Sequence, residues 1–353
     1  MRKLLIVFAA FAFVVAFTLP AMADDGLSAY GNARVETWSQ STSKEKSATG
    51  YDDDDLIWQP MVYTARIGFK YKREDVGGHV ELRPYHTSAT GAQVRHFNGT
   101  WKFGAGTIMV GQSWTPTTFF PSNQSYGDTG MGGYGALPCG RKAGLWLLWD
   151  GLKVALLEPN AAAQGTDVDT DTSMPKLEAS YKIKLGPATI AALAGMNSFD
   201  SVNATDQAAS IDSSIYGVYF TVPFGAVRVS GNYYVGTNLG NYGDLGGANV
   251  IRSAVVSGTT VYDTDETGMC LKVSYKISDS MTVEGGYGVI TGENNQVGPE
   301  TDEASVTYAQ LHWKPTKSFS IIPEFGKFDY AEDANKVKQG DITYVGAKWQ
   351  INF

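Results

Sequence analysis

Alternation of apolar and polar residues is the clearest pattern in this sequence. Over 343–353, apolar residues such as Val345 alternate with polar residues such as Lys348. The segments 61–72 and 176–185 alternate in the same way. A spacing of two residues places successive side chains on opposite faces of a β-strand. These patterns predict strands with one face in an apolar environment and the other in water.

The predicted strands are joined by connections that alternate between short and long. Short turns are predicted at 74–77, 104–106, 150–151, 186–187, 223–225, 278–280 and 315–317. Long polar connections are predicted at 40–57, 87–92, 115–140, 158–175, 198–212, 237–265, 291–303 and 331–340. Seven short turns among eight long connections predict sixteen strands. Fourteen strands is the alternative, because the alternation is weak between Arg141 and Glu158.

The amino terminus has the features of a secretory signal peptide. Arg2 and Lys3 precede an apolar run that ends at Leu19, and small residues then frame a cleavage position after Ala23. The apolar run is shorter than the ~20 residues that a spanning helix needs, so we favour cleavage over a retained anchor. Residues 24–353 would then form one exported domain.

Composition agrees with a barrel in a membrane. No stretch after the leader is apolar enough for a spanning helix, and a membrane protein without one must close its strands into a cylinder. The chain has 40 Gly, 19 Tyr, 16 Phe and 8 Trp, and its mean hydropathy of −0.17 suits strands with only alternate residues in lipid. Seven aromatic residues fall near predicted strand ends, where interface girdles lie: Trp38, Trp58, Tyr71, Trp101, Trp313, Phe319 and Trp349. We predict an all-β fold, a transmembrane antiparallel β-barrel of about sixteen strands.

Charge and metal-binding residues exclude other classes of protein. The net charge of −8 comes with no basic tract, so no nucleic-acid partner is expected. An exported chain could form a disulfide, but Cys139 and Cys270 lie in different contexts, a loop end and a strand, and we favour no bridge. The acidic segment 167–178 matches a calcium loop only in part, since Thr172 replaces the required glycine. We expect no metal site and no cofactor.

The segment 106–142 carries a more specific motif, in which a strand leads into a long loop rich in Gly, Ser, Thr and aromatic residues. The motif residues are Gly106, Ile108, Val110, Gly111, Gln112, Thr115 and Pro116. With these residues, the hairpin pattern and the terminal Phe353, the chain resembles the trimeric porins of Gram-negative bacteria. The resemblance implies a homotrimer in the outer membrane, in contact with lipid and lipopolysaccharide. It also implies passive diffusion of small polar solutes and ions, and a role for Phe353 as the signal for barrel assembly.

The resemblance further implies that the third long connection, 115–140, folds into the pore and narrows it. The candidate constriction residues are Trp114, Pro116, Phe119, Phe120, Tyr126, Asp128 and Tyr134. Asp128 is the one ionised residue in that loop, which departs from the several acids of better-known porins. Its aromatic side chains could form a stacking path for solutes, but we favour the interpretation that they hold the loop against the wall.

Strand parity places a set of basic residues on the inner wall, in neighbouring strands once the barrel closes. The residues are Arg34, Arg66, Lys70, Arg83, Lys102 and Lys348. Like charges in a narrow aqueous pore attract counter-ions, so a weak preference for anions is expected. Glu36 and Glu81 lie among these cations and would partly neutralise them.

Three alternative functions remain open. One is a channel specific for one substrate, and another is a plugged barrel with a structural or adhesive role. The third is an outer-membrane hydrolase, because His86 and Ser88 have the spacing found in outer-membrane phospholipases. We do not favour an enzyme, since the nearest candidate third residue, Asn98, has inward parity.

Overall fold

The chain is described by a computed structural model that covers residues 26–47, 50–61, 64–84, 92–137, 140–243, 250–298 and 300–353. The predicted leader and most of the connection 87–92 lie outside these residues. The first strands are β1 Leu27–Thr42, β2 Asp53–Pro60, β3 Arg66–Arg73, β4 Val76–Pro84, β5 Ala92–Phe103, β6 Gly106–Trp114, β7 Arg141–Trp149, β8 Leu152–Leu157, β9 Asp169–Asp171 and β10 Lys176–Leu185. The others are β11 Ala188–Val202, β12 Ala208–Phe224, β13 Val227–Thr237, β14 Val255–Ser257, β15 Thr260–Tyr262, β16 Asp265–Lys276, β17 Met281–Glu293, β18 Asp302–Trp313, β19 Phe319–Asp329 and β20 Asp341–Asn352. Helical structure among these residues is confined to a 3-10 turn at Tyr126–Asp128 and one turn, α1, at Leu239–Tyr242. No described helix is long and apolar enough to cross a membrane.

The strands form a closed antiparallel barrel. Strand β20 pairs with both β19 and β1, which closes the sheet on itself. Strands β2 and β3 both pair with β1 on either side of an interruption, so together they make one barrel strand. Strands β9 and β10 both pair with β11, so they count as one barrel strand. Within the described residues, β14 pairs with β15 alone, outside the barrel sheet. Sixteen barrel strands remain, so the predicted number is confirmed and the alternative of fourteen is wrong.

The alternation predicted for the strands is confirmed in most places. On β20, Val345 and Ile351 are exposed on the outer face, whereas Lys348 is buried inside. The continuous strand predicted over 61–72 is wrong, because β2 ends at Pro60 and β3 begins only at Arg66. Trp38 was predicted at an interface girdle, but it faces the interior with 1% of its surface exposed, where Tyr126 and Tyr344 pack on it.

The connections follow the predicted order, with three differences, one of which is strand β9 inside the connection predicted at 158–175. All seven short turns occur at or within two residues of their predicted positions. The long connection predicted at 198–212 is wrong, because β11 and β12 pair as far as Val202 and Ala208 and leave only a short turn. The connection predicted at 237–265 contains α1 and the β14–β15 hairpin, which no alternation in its Gly- and Asn-rich sequence had indicated.

Two long connections pack against the inner wall. A barrel of sixteen strands is too wide for wall side chains to fill, so its interior holds water or loops. In α1, Leu239 and Tyr242 are fully buried against inner-wall residues that include Leu193 and Ile215. The described part of the third connection, residues 115–137, is called loop 3 below. It contacts wall residues from β10 around to β20 and β1.

Candidate pore constriction

Carboxylates of the wall hold the backbone of loop 3. Each of them accepts a hydrogen bond from at least one loop amide, and all are buried. The pairs are Thr117 N to Glu178 at 3.0 Å, Asn123 N to Glu284 at 2.9 Å, Ser125 N and Tyr126 N to Glu324 at 2.6 and 3.0 Å, and Gly127 N to Glu36 at 3.2 Å. These four acids therefore point at the loop, and loop 3 lies between them and the rest of the lumen.

Aromatic side chains add to this attachment. Tyr126 packs on Tyr344 with ring centroids 4.2 Å apart, and Tyr134 packs on Phe328 at 4.8 Å. Farther along the wall, Phe119 stacks on Tyr219 at 4.1 Å. These contacts agree with the interpretation that the aromatic residues of the loop hold it against the wall.

A glycine allows the closest approach of loop 3 to the barrel. Gly135 has a positive φ of 88°, and a Cβ built on it would lie 2.2 Å from the carbonyl oxygen of Met269. Its own carbonyl accepts a hydrogen bond from Asn232 Nδ2 at 2.7 Å. Any larger residue at this position would have to move the loop away from β16.

Beside loop 3, basic side chains surround a cavity of about 510 Å³. We call it the loop-3 cavity. Its charged lining residues are Arg34, Arg66, Arg83, Arg95, Arg141, Lys348 and Asp128. Trp114 and Phe120 also line it. Six cations and one acid thus face the same space.

Asp128 neutralises part of this charge. It forms ion pairs with Arg34 and, at 2.7 Å, with the ammonium group of Lys348. Burial alone would raise the pKa of Asp128, but the charges of Lys348 and Arg34 outweigh it, so the pKa lies below the usual value. The Asp128 carboxylate therefore stays ionised in its pair with the two cations.

A second acid lies behind the cations. Glu81 is 3% exposed and accepts a hydrogen bond from Arg95 Nε at 2.6 Å. Its other oxygen lies 3.7 Å from a guanidinium nitrogen of Arg66. Arg83 donates a hydrogen bond from Nε to the side-chain oxygen of Gln93 at 2.6 Å. The two acids do not balance the six cations.

Arg141 has a different environment from the other cations. Its guanidinium lies 3.7 Å from the centre of the Trp114 ring. Among the described residues, no carboxylate forms an ion pair with it, and its buried Nε has no hydrogen-bond partner. Arg141 is thus an arginine held by an aromatic ring, without a direct ion pair to any described carboxylate.

The structure brings together four of the six residues predicted for the basic wall: Arg34, Arg66, Arg83 and Lys348. Lys70 and Lys102 lie elsewhere, around a separate cavity of about 420 Å³ at the short-turn end of the barrel. Arg95 and Arg141 were missed. The pairing of β4 with β5 shifts register between Glu81 and Leu82, which breaks parity counting near Arg95. Arg141 lies at the start of β7, where the alternation is weak, and only its place directly after the loop could have indicated it.

The remaining predicted residues have varied positions. Pro116 is buried at the start of loop 3. Phe353 is 72% exposed at the barrel seam, and Gly31 N donates to its carbonyl oxygen at 2.8 Å. Cys270 is a buried thiol in β16, whereas Cys139 lies outside the described residues, as do His86 and Ser88. Asp167 accepts a hydrogen bond from Ser201, and the described residues contain no cluster of potential metal ligands.

Comparison with known proteins identifies the fold. No family model and no curated protein matches the chain by sequence. Among solved structures, the outer membrane channel DcaP of Acinetobacter baumannii is similar, with a TM-score of 0.72, 13% identity and coverage of 93% of this chain and 97% of that one. The anion-selective porin from Comamonas acidovorans has a TM-score of 0.63 at 12% identity, covering 93% and 99% of the two chains. The chain has the porin fold.

A third porin-fold structure is OmpT, an outer membrane protein of Vibrio cholerae solved in a trimer form. Its TM-score is 0.61 at 16% identity, with coverage of 92% of this chain and 98% of that one. The resemblance to Gram-negative outer-membrane porins, predicted from the segment 106–142, is therefore confirmed as a likeness of fold. At these identities the likeness concerns the fold alone.

Proposed function

We propose that the chain is a passive porin of the outer membrane, which admits small hydrophilic solutes and ions and prefers anions. The pore would run past loop 3, with residues 115–140 as the constriction. No chemical step is involved, and the protein supplies a wet passage and a fixed electric field. The similar structures include an outer membrane channel and an anion-selective porin, which favours this class of function and this location.

The proposed preference for anions rests on one observation: acidic and basic side chains lie in different places around loop 3. Loop amides donate hydrogen bonds to buried acids such as Glu284 and Glu324. Among the described residues, by contrast, six cations and a single acid, Asp128, line the loop-3 cavity. A low-dielectric wall with an excess of one charge raises the local concentration of counter-ions. Chloride should therefore enter more readily than potassium.

The test is the zero-current potential of the purified protein in a planar bilayer under a KCl gradient. We expect a potential displaced toward the chloride equilibrium value at 0.1 M salt, and a smaller displacement at 1 M, where the Debye length falls from about 10 Å to about 3 Å. The double variant Arg66→Glu, Arg83→Glu should move the potential toward cation preference. The matched control is Lys314→Glu, Lys317→Glu, which reverses two exposed charges in a short turn. Cation preference in the unmodified protein would overturn the proposal.

We also propose a homotrimer in contact with lipid and lipopolysaccharide. The outer face carries exposed apolar residues such as Phe97 and Leu271, as lipid contact requires, and one similar structure is a trimer form.

A plugged structural barrel is the second candidate, because α1 and loop 3 fill part of the interior. Absence of conductance in the same bilayer recording would favour that candidate.

A further inference from the structure

Five aromatic rings form a row along the inner wall beside the basic residues. From loop 3 outward they are Phe120, Trp114, His96, His79 and Tyr30, on loop 3, β6, β5, β4 and β1. Consecutive ring centroids are 4.9, 6.0, 4.6 and 6.1 Å apart. At one end Phe120 and Trp114 line the loop-3 cavity, and toward the other end His79 lines the cavity near the short turns. The row therefore connects the two spaces.

Arg141 lies at the loop end of this row. Arg141 stacks on Trp114, and Trp114 meets Phe120 edge to face with an angle of 73° between the rings. Phe120 is 45% exposed, so part of its ring is available to a molecule in the cavity. The loop-3 cavity thus offers an exposed aromatic surface and a planar cation side by side.

We propose that the loop-3 cavity is a binding site for aromatic carboxylates, which the pore passes in preference to aliphatic ones. The inference rests on the proposed function, because it concerns the same pore. A guanidinium binds a carboxylate through two parallel N–H donors, and Arg141 has no competing carboxylate among the described residues. An aromatic ring attached to that carboxylate would pack on Phe120, gaining a contact that chloride or acetate cannot make.

The polar part of the site argues for acids over neutral sugars. A sugar that stacks on aromatic rings also needs both donors and acceptors for its hydroxyl groups. Charged donors predominate here, from Arg66, Arg83, Arg95 and Arg141, and the acid that lines the cavity, Asp128, is occupied by Arg34 and Lys348. Such a lining selects an anion first, and Phe120 then distinguishes flat aromatic anions from others.

The test is block of the chloride current by benzoate, cyclohexanecarboxylate and acetate, each titrated into a bilayer recording at constant ionic strength. Benzoate and cyclohexanecarboxylate share charge and approximate size and differ in the aromatic ring. We expect saturable block by benzoate at a concentration about 3- to 10-fold lower than for cyclohexanecarboxylate, from the strength of one aromatic contact. Acetate should not give saturable block.

Variants separate the two parts of the site. Phe120→Leu should bring the benzoate and cyclohexanecarboxylate values together, whereas Phe119→Leu, the same change at a ring that faces Tyr219, should leave them apart. Arg141→Lys should weaken benzoate block several-fold, because it loses the planar donors that bind a carboxylate in parallel. Equal block by the two acids in a conducting, anion-preferring wild type would overturn this inference and leave the proposed function intact. A wild type without current would overturn both.

Discussion

At the scale of single residues, the electric field in the loop-3 cavity depends on Asp128. It pairs with Arg34 and Lys348, so Asp128→Asn should leave both cations uncompensated. We expect the ratio of chloride to potassium permeability to rise about four-fold, because one unit charge at about 10 Å in a water-like medium changes the access of each ion about two-fold, in opposite directions. The zero-current potential in a KCl gradient measures this ratio. Asp279→Asn, which removes an exposed acid in a short turn, is the control and should have no such effect.

The pH dependence of this difference follows from the lowered pKa of Asp128. A carboxyl whose pKa is depressed in the folded protein stays charged while ordinary aspartates protonate, and its pairing is lost only when the pH falls through the depressed value. Wild type and Asp128→Asn should therefore differ in ion preference from neutral pH down to about pH 4, near the ordinary aspartate value, and converge below it. Convergence already at pH 6 would contradict the assigned pKa direction.

Prediction of individual residues from the sequence succeeded in regular strands, where every second residue lies on the same face. Arg34 and Lys348 lie well inside long, regular strands, and both face the interior as parity requires. Counting every second residue failed at Arg95, which lies close to a shift in strand register. It could not be applied at Arg141, because that residue follows an irregular loop. Strand periodicity carries no information across such breaks.

At the scale of elements, the main feature is the close fit of loop 3 to β16 and β17. Gly288 on β17 illustrates it, because a Cβ there would lie 2.1 Å from the carbonyl oxygen of Tyr134. Gly288→Ala should displace the loop, lower the free energy of unfolding by about 1–3 kcal/mol, and increase fluctuations of the single-channel current. Gly285→Ala on the same strand is the control, since its Cβ would meet no atom closer than 3.4 Å. Identical stability and current noise in the two variants would show that loop 3 does not lie against β17.

The sequence predicted that the third connection differs from the others, but not where it is attached. Its partners are distant in the chain; Ser122, for example, donates to Tyr308, 186 positions away. Nor did the alternation in β17 and β19 show that inward acids such as Glu284 and Glu324 would accept loop amides instead of facing water. Parity predicts the face of the strand on which a side chain lies. What packs against that face depends on tertiary structure.

At the scale of the whole molecule, the carboxy terminus completes the seam of the barrel. Phe353 and Gly31 exchange two backbone hydrogen bonds, at 2.8 and 3.0 Å, and the Phe353 ring covers Gly31. Deletion of Phe353 removes these bonds and the terminal aromatic residue expected to act as the assembly signal. We expect less folded barrel in the outer membrane, measured as the heat-modifiable fraction on gel electrophoresis. Phe353→Tyr keeps the aromatic ring and should assemble normally, whereas normal assembly of the deletion would refute the role of this residue.

The architecture was the part that sequence predicted best. Hairpin turns are local, so their residues mark them directly, and alternation between them needs no knowledge of the partner strand. The number of strands and the closure of β20 on β1 followed from these two signals. The contents of the lumen did not, because α1 and loop 3 are positioned by contacts between distant parts of the chain.

The central claim is that an open, water-filled passage remains beside loop 3. The most direct measurement is swelling of liposomes that contain the purified protein, in isotonic solutions of uncharged sugars of increasing size. A passive pore predicts rapid swelling with a pentose and slower swelling with each larger sugar. Swelling no faster than in protein-free liposomes, for every sugar tested, would contradict the pore.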